Sequence, residues 1–350
     1  MRIVVFGAGA IGRWLGVAAQ QAGHTVTWIG RQPVVEALRQ GNGKVLFPNG
    51  EVWTLPPALA ATRVEEIPPG QDAVLLCVKA YDVEAACLEL RCSGFLTEHM
   101  RVLTFQNGIG SEDLAAAILG EQRVIPATLT VPLTAEGVAD VRVQRAGGGV
   151  GLALFGHPDA RSAALLDEFR TIAMWRTRLY ANWQAMKWSK LLLNLVGNAA
   201  GAVLECDVPT LLRDPLGSAV EIRALREAEQ VMRALSIRAV NLPGAPAAWF
   251  AFALRWAPDV AARYLLRRFF TRARGAKQPS LHYDVWHKRG RSEIRFLNGA
   301  VVVAGRRIGV STPVNAVLSE LLERMALGET LPLEARRQRL KEALASTSLH

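Results

Sequence analysis

The stretch Ile3-Val4-Val5-Phe6-Gly7-Ala8-Gly9-Ala10-Ile11-Gly12 decides the fold. Four consecutive apolar residues bounded by glycine read as a strand buried on both faces, and the spacing from Ile11 to Ala22 predicts a helix. Between them stands G-x-G-x-x-G, in the one context where that pattern carries meaning: a strand before it and a helix after it. Gly7 permits a tight turn, Gly9 lets the backbone approach a pyrophosphate, and Gly12 lets helix and strand pack closely. The helix start then presents its N–H groups and the positive end of its dipole to an anion. These features assign Gly7, Gly9, Ala10, Ile11 and Gly12 to the binding of a dinucleotide.

Working outward, short apolar strands alternate with helical stretches, the arrangement that builds a parallel sheet covered on both faces. Strands are predicted at 2–6, 25–29, 73–78, 102–105 and 124–130, with helices at 11–22, 33–39 and 112–119. Alternation and glycines over 141–155 suggest an antiparallel extension, and 174–179 reads as a last strand. After about Tyr180 helical periodicity takes over and continues to Ala345, interrupted at 243–246 and 275–279 by proline and glycine. The expected fold class is α/β: an N-terminal doubly wound Rossmann sheet over 1–180, followed by an all-helical C-terminal domain over 181–350.

The second strand runs into Gly30-Arg31-Gln32, at the place where an NAD-preferring site carries a carboxylate for the ribose hydroxyls. A guanidinium there pairs with a 2′-phosphate, so Arg31 points to NADP(H). Two further strand ends carry polar residues at the carboxyl edge, where open α/β sheets bind ligands: Lys79, and Gln106-Asn107-Gly108. With the glycine loop they outline one cleft.

Composition bounds the rest. The 350 residues are 50% hydrophobic, enough for two domains with sizeable cores. The longest apolar run, 191–204, is broken by Asn194 and Asn198, so no membrane span is expected. The start of the chain shows no secretory signal, and Cys77, Cys87, Cys92 and Cys206 have neither metal-ligand nor disulfide spacing, which fits reduced thiols in a cytoplasm. A net charge of +10 suits anionic ligands or nucleic acid. Its densest part, 263–277, interleaves arginines with Leu265, Leu266, Phe269 and Phe270, the pattern of a helix with a solvated basic face. No nucleic-acid motif accompanies it, so nucleic acid is not expected as a partner. His24, His99, His157, His282, His287 and His350 form no metal pattern.

Lys190, Asn194 and Asn198 are spaced by four among leucines, which stacks them on one face of a helix. Such a lysine either snorkels to solvent while the asparagines bond neighbouring helices, or is held in a site by ligands. Further on, Ser280 and Glu293 are polar groups on helical segments that could face the first domain.

Taken in order, the Gly7-to-Gly12 loop, Val78-Lys79, Gln106-Asn107-Gly108, Lys190 with Asn194 and Asn198, Pro279-Ser280 with Asp284, Glu293-Ile294, and Gly309-Val310-Ser311-Thr312-Pro313-Val314-Asn315 resemble the ketopantoate reductases over nearly the whole chain. The resemblance implies NADPH-dependent reduction of a small 2-oxo acid, ketopantoate to pantoate, as a step in pantothenate biosynthesis. It implies Lys190 as general acid, Asn107 and Asn194 orienting substrate with Asn198 in the same set, Ser280 bonding the carboxylate or hydroxyl, Glu293 accepting from substrate hydroxyls, and Lys79 and Asn107 beside the cofactor. Three departures bear on the substrate. The segment between Asp284 and Glu293 is one residue longer than usual, Lys277 stands where the family often has asparagine, and Leu281 replaces the common methionine. Two other readings stay open: a reductase of a different 2-oxo acid, and a sensor that binds NADP(H) without turnover. The apolar run 249–266 is either a face that pairs with a second copy or a plain interdomain helix.

Overall fold

The structure, a computed structural model, describes residues 1–156, 159–274, 281–282 and 290–346. Lys277, Ser280, Asp284, His157, His287 and His350 lie outside them. The chain falls into two units: Met1–Gln106, Gly110–Lys187 and Leu242–Ala245 form the first, and Asn107–Ile109, Trp188–Asn241 and Pro246–His350 the second.

The first unit opens with β1 (Arg2–Phe6), α1 (Ala10–Gln21), β2 (Thr25–Ile29) and α2 (Gln32–Arg39). It continues through β3 (Gly43–Leu46), β4 (Val52–Leu55), β5 (Ala60–Ala61), β6 (Ala73–Leu76), α3 (Val83–Cys92), β7 (Arg101–Thr104) and α4 (Ser111–Leu119). Then come β8 (Val124–Leu129), β9 (Leu133–Glu136), β10 (Asp140–Val143), β11 (Val150–Ala153), α5 (Ala160–Thr171) and β12 (Arg178–Tyr180). The main sheet has the order β12-β11-β8-β7-β6-β1-β2-β5. Its pairings are parallel except that β11 runs antiparallel to β8.

The two-residue period of a strand explains why these runs are apolar throughout. Ile3, Val5, Val26, Trp28, Leu75, Leu103 and Ile125 go to a core on one face of the sheet. Val4, Phe6, Ile29, Val74, Leu76, Val102 and Val124 go to a second core on the other. Each such side chain taken from water contributes about 1.5–3 kcal/mol of transfer free energy, which favours apolar residues on both faces of the sheet.

A second sheet, β4-β3-β10-β9, is absent from the sequence expectation. Its strands are four residues each, too short for a clear period, and β3 finds its parallel partner β10 far along the chain. The Asp140 carboxylate accepts from the Lys44 N–H at 2.9 Å and fixes that pairing. The predicted antiparallel extension over 141–155 therefore divides: β11 joins the main sheet and β10 the small one. In the predicted last strand, 173–175 is instead a 3₁₀ turn, and the strand itself is β12.

The helix α6 (Trp183–Leu195) runs from the first unit into the second. The second unit adds α7 (Ala199–Val203), α8 (Val208–Arg213), α9 (Pro215–Ala234), α10 (Ala247–Trp256), α11 (Asp259–Arg274), α12 (Asn298–Arg307), α13 (Pro313–Ala326) and α14 (Leu333–Ala345). Asp207 and Asp214 cap α8 and α9 by accepting from Thr210 N–H at 2.8 Å and Gly217 N–H at 3.0 Å, each with a proline in the first turn. The carboxylate of Glu227, fully buried on α9, accepts from the Val314 and Asn315 N–H groups at the start of α13 and from the Asn315 amide. Among the described residues no helix is long and apolar enough to cross a membrane. The apolar run 191–204 lies instead in the core of the helical unit, with Leu191, Leu192, Leu195, Val196 and Val203 all buried.

That run is not one helix. Val196–Asn198 form a turn between α6 and α7, with Gly197 at φ +63° and its N–H bonded to Glu221 at 2.8 Å. A side chain at Gly197 would also meet Val208 at 2.4 Å. Asn198 therefore does not stack on the Lys190–Asn194 face, as its spacing suggests, but stands as N-cap residue of α7.

Candidate active site

Short strands leave loops at the carboxyl edge of the main sheet. β6 ends at Leu76 and β7 at Thr104, so Lys79 and Gln106 stand in loops rather than in strands. The glycine turn follows β1. Gly7 N–H and Ala8 N–H both donate to the Ile29 carbonyl, at 2.9 and 3.1 Å, and Gly7 takes φ +105°. A Cβ on Gly12 would sit 2.3 Å from the Gly7 carbonyl oxygen and 2.7 Å from Val5, so only glycine lets α1 start this close to β1. On Gly9 a Cβ would meet nothing within 4 Å. Gly9 is also the N-cap of α1, with no side-chain cap bond and no acid in the first helical turn. Open space, uncapped helix N–H groups and a dipole without an acidic competitor fit the pyrophosphate of a dinucleotide.

Two arginines adjoin this turn. Arg31 is the exposed N-cap residue of α2, whose first turn also lacks an acid. Arg13 was not among the residues expected from sequence. It is buried on α1, its Nε donating to the Gly9 carbonyl at 3.2 Å and a terminal nitrogen to the Val138 carbonyl at 2.9 Å. Burial lowers its pKa to about 10, Asp140 opposes that shift, and the charge of Arg31 adds to it. Lys79, half-buried, is the residue before a 3₁₀ turn over Ala80–Asp82.

Gln106 is held from both ends. Its amide donates to the carbonyls of Leu76 and Val78 at 2.9 and 3.1 Å, and its own carbonyl accepts from Lys187 Nζ at 2.6 Å. Lys187 also donates to the Ala127 carbonyl at 3.2 Å and pairs with Glu112 at 2.6 Å, both side chains being shut off from solvent. Burial pushes the Glu112 carboxyl above its ordinary range, and the Lys187 ammonium pulls it back. Neither residue was expected from sequence, because nothing in local spacing pairs one helix start with a lysine on a distant helix. Burial also pushes the Cys77, Cys87 and Cys206 thiols up, which keeps them protonated and poorly nucleophilic.

In the second unit, Lys190 is half-buried on α6, one turn before Asn194. The Asn194 amide donates to Asn107 Oδ1 at 3.0 Å. Ile109 N–H donates to the Phe296 carbonyl at 2.9 Å, which ties the Asn107–Ile109 segment to the 3₁₀ turn Glu293–Phe296. Glu293 opens that turn, buried, with Ser292 as its cap. Asn107, Asn194 and Glu293 are thereby carried on elements that touch one another. Asn198 is directed elsewhere: its Oδ1 accepts from the Leu281 N–H at 3.1 Å.

A Rossmann sheet with a glycine turn open to an anion, joined in one chain to a helical unit with a lysine, two asparagines and a buried carboxylate, defines an NAD(P)-dependent oxidoreductase. Residues 3–154 match the family described as Ketopantoate reductase PanE/ApbA, and residues 182–326 match its C-terminal counterpart. The 2-dehydropantoate 2-reductase of Halobacterium salinarum is 30% identical over 92% of this chain and 98% of its own. The chain belongs to the ketopantoate reductase family. Among solved structures, the family member from Ralstonia eutropha superposes with a TM-score of 0.77 at 25% identity, covering 93% of this chain and 98% of that one. D-mandelate dehydrogenase with NADH and anilino(oxo)acetate shares the fold, at TM-score 0.75 and 20% identity over 97% of this chain and all of its own.

Gly12→Ala and Gly9→Ala should separate packing from ligand binding. The first drives a Cβ into backbone and is expected to cost about 1–3 kcal/mol of stability, read as a lower melting temperature. The second should leave melting unchanged and weaken dinucleotide binding by about tenfold, read by nucleotide fluorescence titration. Equal melting losses in the two variants would contradict the space available at Gly9.

Proposed function

We propose that this protein reduces ketopantoate to pantoate with NADPH, and that Lys190 is its general acid. The observation that carries the reading is the spacing of Lys190 one helical turn from an asparagine already engaged with Asn107. When bound, the dinucleotide supplies hydride to the 2-oxo carbon. The oxygen on that carbon gains negative charge as hydride arrives, and an ammonium within hydrogen-bond reach stabilises the charge and gives up the proton. Asn107 spends its carbonyl on Asn194, which leaves its amide hydrogens to donate to an oxo-acid oxygen. Glu293 offers a carboxylate to a substrate hydroxyl, a group ketopantoate has and simpler oxo acids lack. Ser280 completes the set by resemblance to the family.

NADPH is preferred because the two cations beside the glycine turn, Arg13 and Arg31, meet no acid at the start of α1 or α2. A 2′-phosphate would pair with the exposed Arg31, while buried Arg13 holds the turn and adds its field. A second reading, a reductase of another 2-oxo acid, draws on Lys277, which adds a cation where the family often has a neutral amide.

The exposed face of α10 and α11 also suits a second copy of the chain. Trp249, Phe252, Trp256, Tyr264 and Phe269 are exposed there, with Arg255 stacked 4.6 Å over Trp256. Aromatic residues with arginine, and little lysine or carboxylate, are the composition of interface centres.

Three measurements test these proposals. Loss of NADPH absorbance on adding ketopantoate should fall about a thousandfold in Lys190→Ala while NADPH binding persists; near-normal turnover would remove Lys190 from the chemistry. Arg31→Asp should weaken NADPH binding about ten- to a hundredfold and barely alter NADH binding, and equal losses would reassign the nucleotide preference. Phe252→Ser with Trp256→Ser should shift a sedimenting dimer to monomer, and an unchanged sedimentation coefficient would exclude this face.

A further inference from the structure

We infer that the buried Lys187–Glu112 ion pair is a positioning device that sets the register of Asn107 against α6, an inference that rests on the reductase reading of Asn107. The Lys187 side chain is 1% exposed and that of Glu112 is 0%. The ammonium has three N–H groups, and the structure gives it three partners: Glu112, the Gln106 carbonyl and the Ala127 carbonyl. An ion pair this dry gains little net stability, because desolvating both charges offsets their attraction, and two apolar side chains of similar volume fold equally well. What apolar side chains cannot do is hold the carbonyl of Gln106.

That carbonyl belongs to the residue before Asn107. Seven residues after Lys187, two turns along the same helix, Asn194 donates to Asn107 Oδ1. One helix therefore grips two consecutive residues at two points, the first by main chain and the second by side chain. The Gln106 amide, bonded to Leu76 and Val78, anchors the same segment to the end of β6. With one grip alone, the Asn107 side chain could rotate about its own backbone; with two, its amide donors point one way. Lys187 and Glu112 touch neither substrate nor dinucleotide in this scheme and act through Asn107.

The test compares the wild type with Lys187→Met, Glu112→Leu and the double variant. Each single change leaves a buried charge unpaired, so both should melt well below the wild type. The double variant removes both charges and should regain most of the melting temperature. Positioning predicts that it nevertheless keeps a kcat/KM for the oxo acid about tenfold or more below the wild type, mostly in KM, with NADPH affinity within about twofold of normal. It also predicts that the Asn107 and Asn194 side-chain amide resonances move or broaden in the double variant. Recovery of kcat/KM together with melting temperature would reduce the pair to a structural element and overturn the inference. Should the wild type reduce no 2-oxo acid, the reductase reading fails by itself, and the amide resonances still decide: unshifted resonances in the double variant refute the positioning role.

Discussion

The fit between the end of β1 and the start of α1 is the constraint on which the rest of this structure depends. At Gly12 the helix comes so near the Gly7 carbonyl and Val5 that no Cβ can be placed, and the turn is closed by two N–H groups on one carbonyl of β2. That closeness puts the first helical turn directly over the carboxyl edge of the sheet, with open space on the Gly9 side. A parallel sheet buries both of its faces, so its edge is the place where polar side chains and ligands meet without disturbing the core. Lys79, Gln106 and the two arginines near the turn follow from this arrangement.

The helical unit solves a different problem, how to keep polar groups inside an apolar bundle. It does so for several of them through a partner in a separate element. Glu227 takes the free N–H groups of α13, Glu221 takes that of Gly197, and Asn198 takes that of Leu281. Unpaired, each of these groups would cost about 1–3 kcal/mol. The break at Gly197 is part of the same scheme, since it turns Asn198 away from the Lys190 face and towards the Leu281 N–H.

Two lysines of α6, three residues apart, meet different environments. Lys187 is enclosed, with every proton committed to a fixed partner. Lys190 is half-buried beside the asparagine that engages Asn107. The enclosed ammonium is fixed by these bonds, whereas the partly open one has the access that its proposed role in proton donation requires.

The glycine turn, the five strands β1, β2, β6, β7 and β8 of the main sheet and the Lys190–Asn194 spacing were legible in the amino-acid sequence alone, because each depends on residues within a turn or a few positions of one another. So did the family, whose signatures are local motifs in a fixed order. Tertiary structure alone decided the small sheet, whose four-residue strands pair across the chain, and the break that redirects Asn198, where a neighbouring valine and a buried glutamate override helical spacing. It alone decided the partners of Asn107, Lys187 and Arg13 as well. A side chain's hydrogen-bond partner is set by which distant backbone the fold brings within about 3 Å, and no periodicity in the sequence encodes that distance.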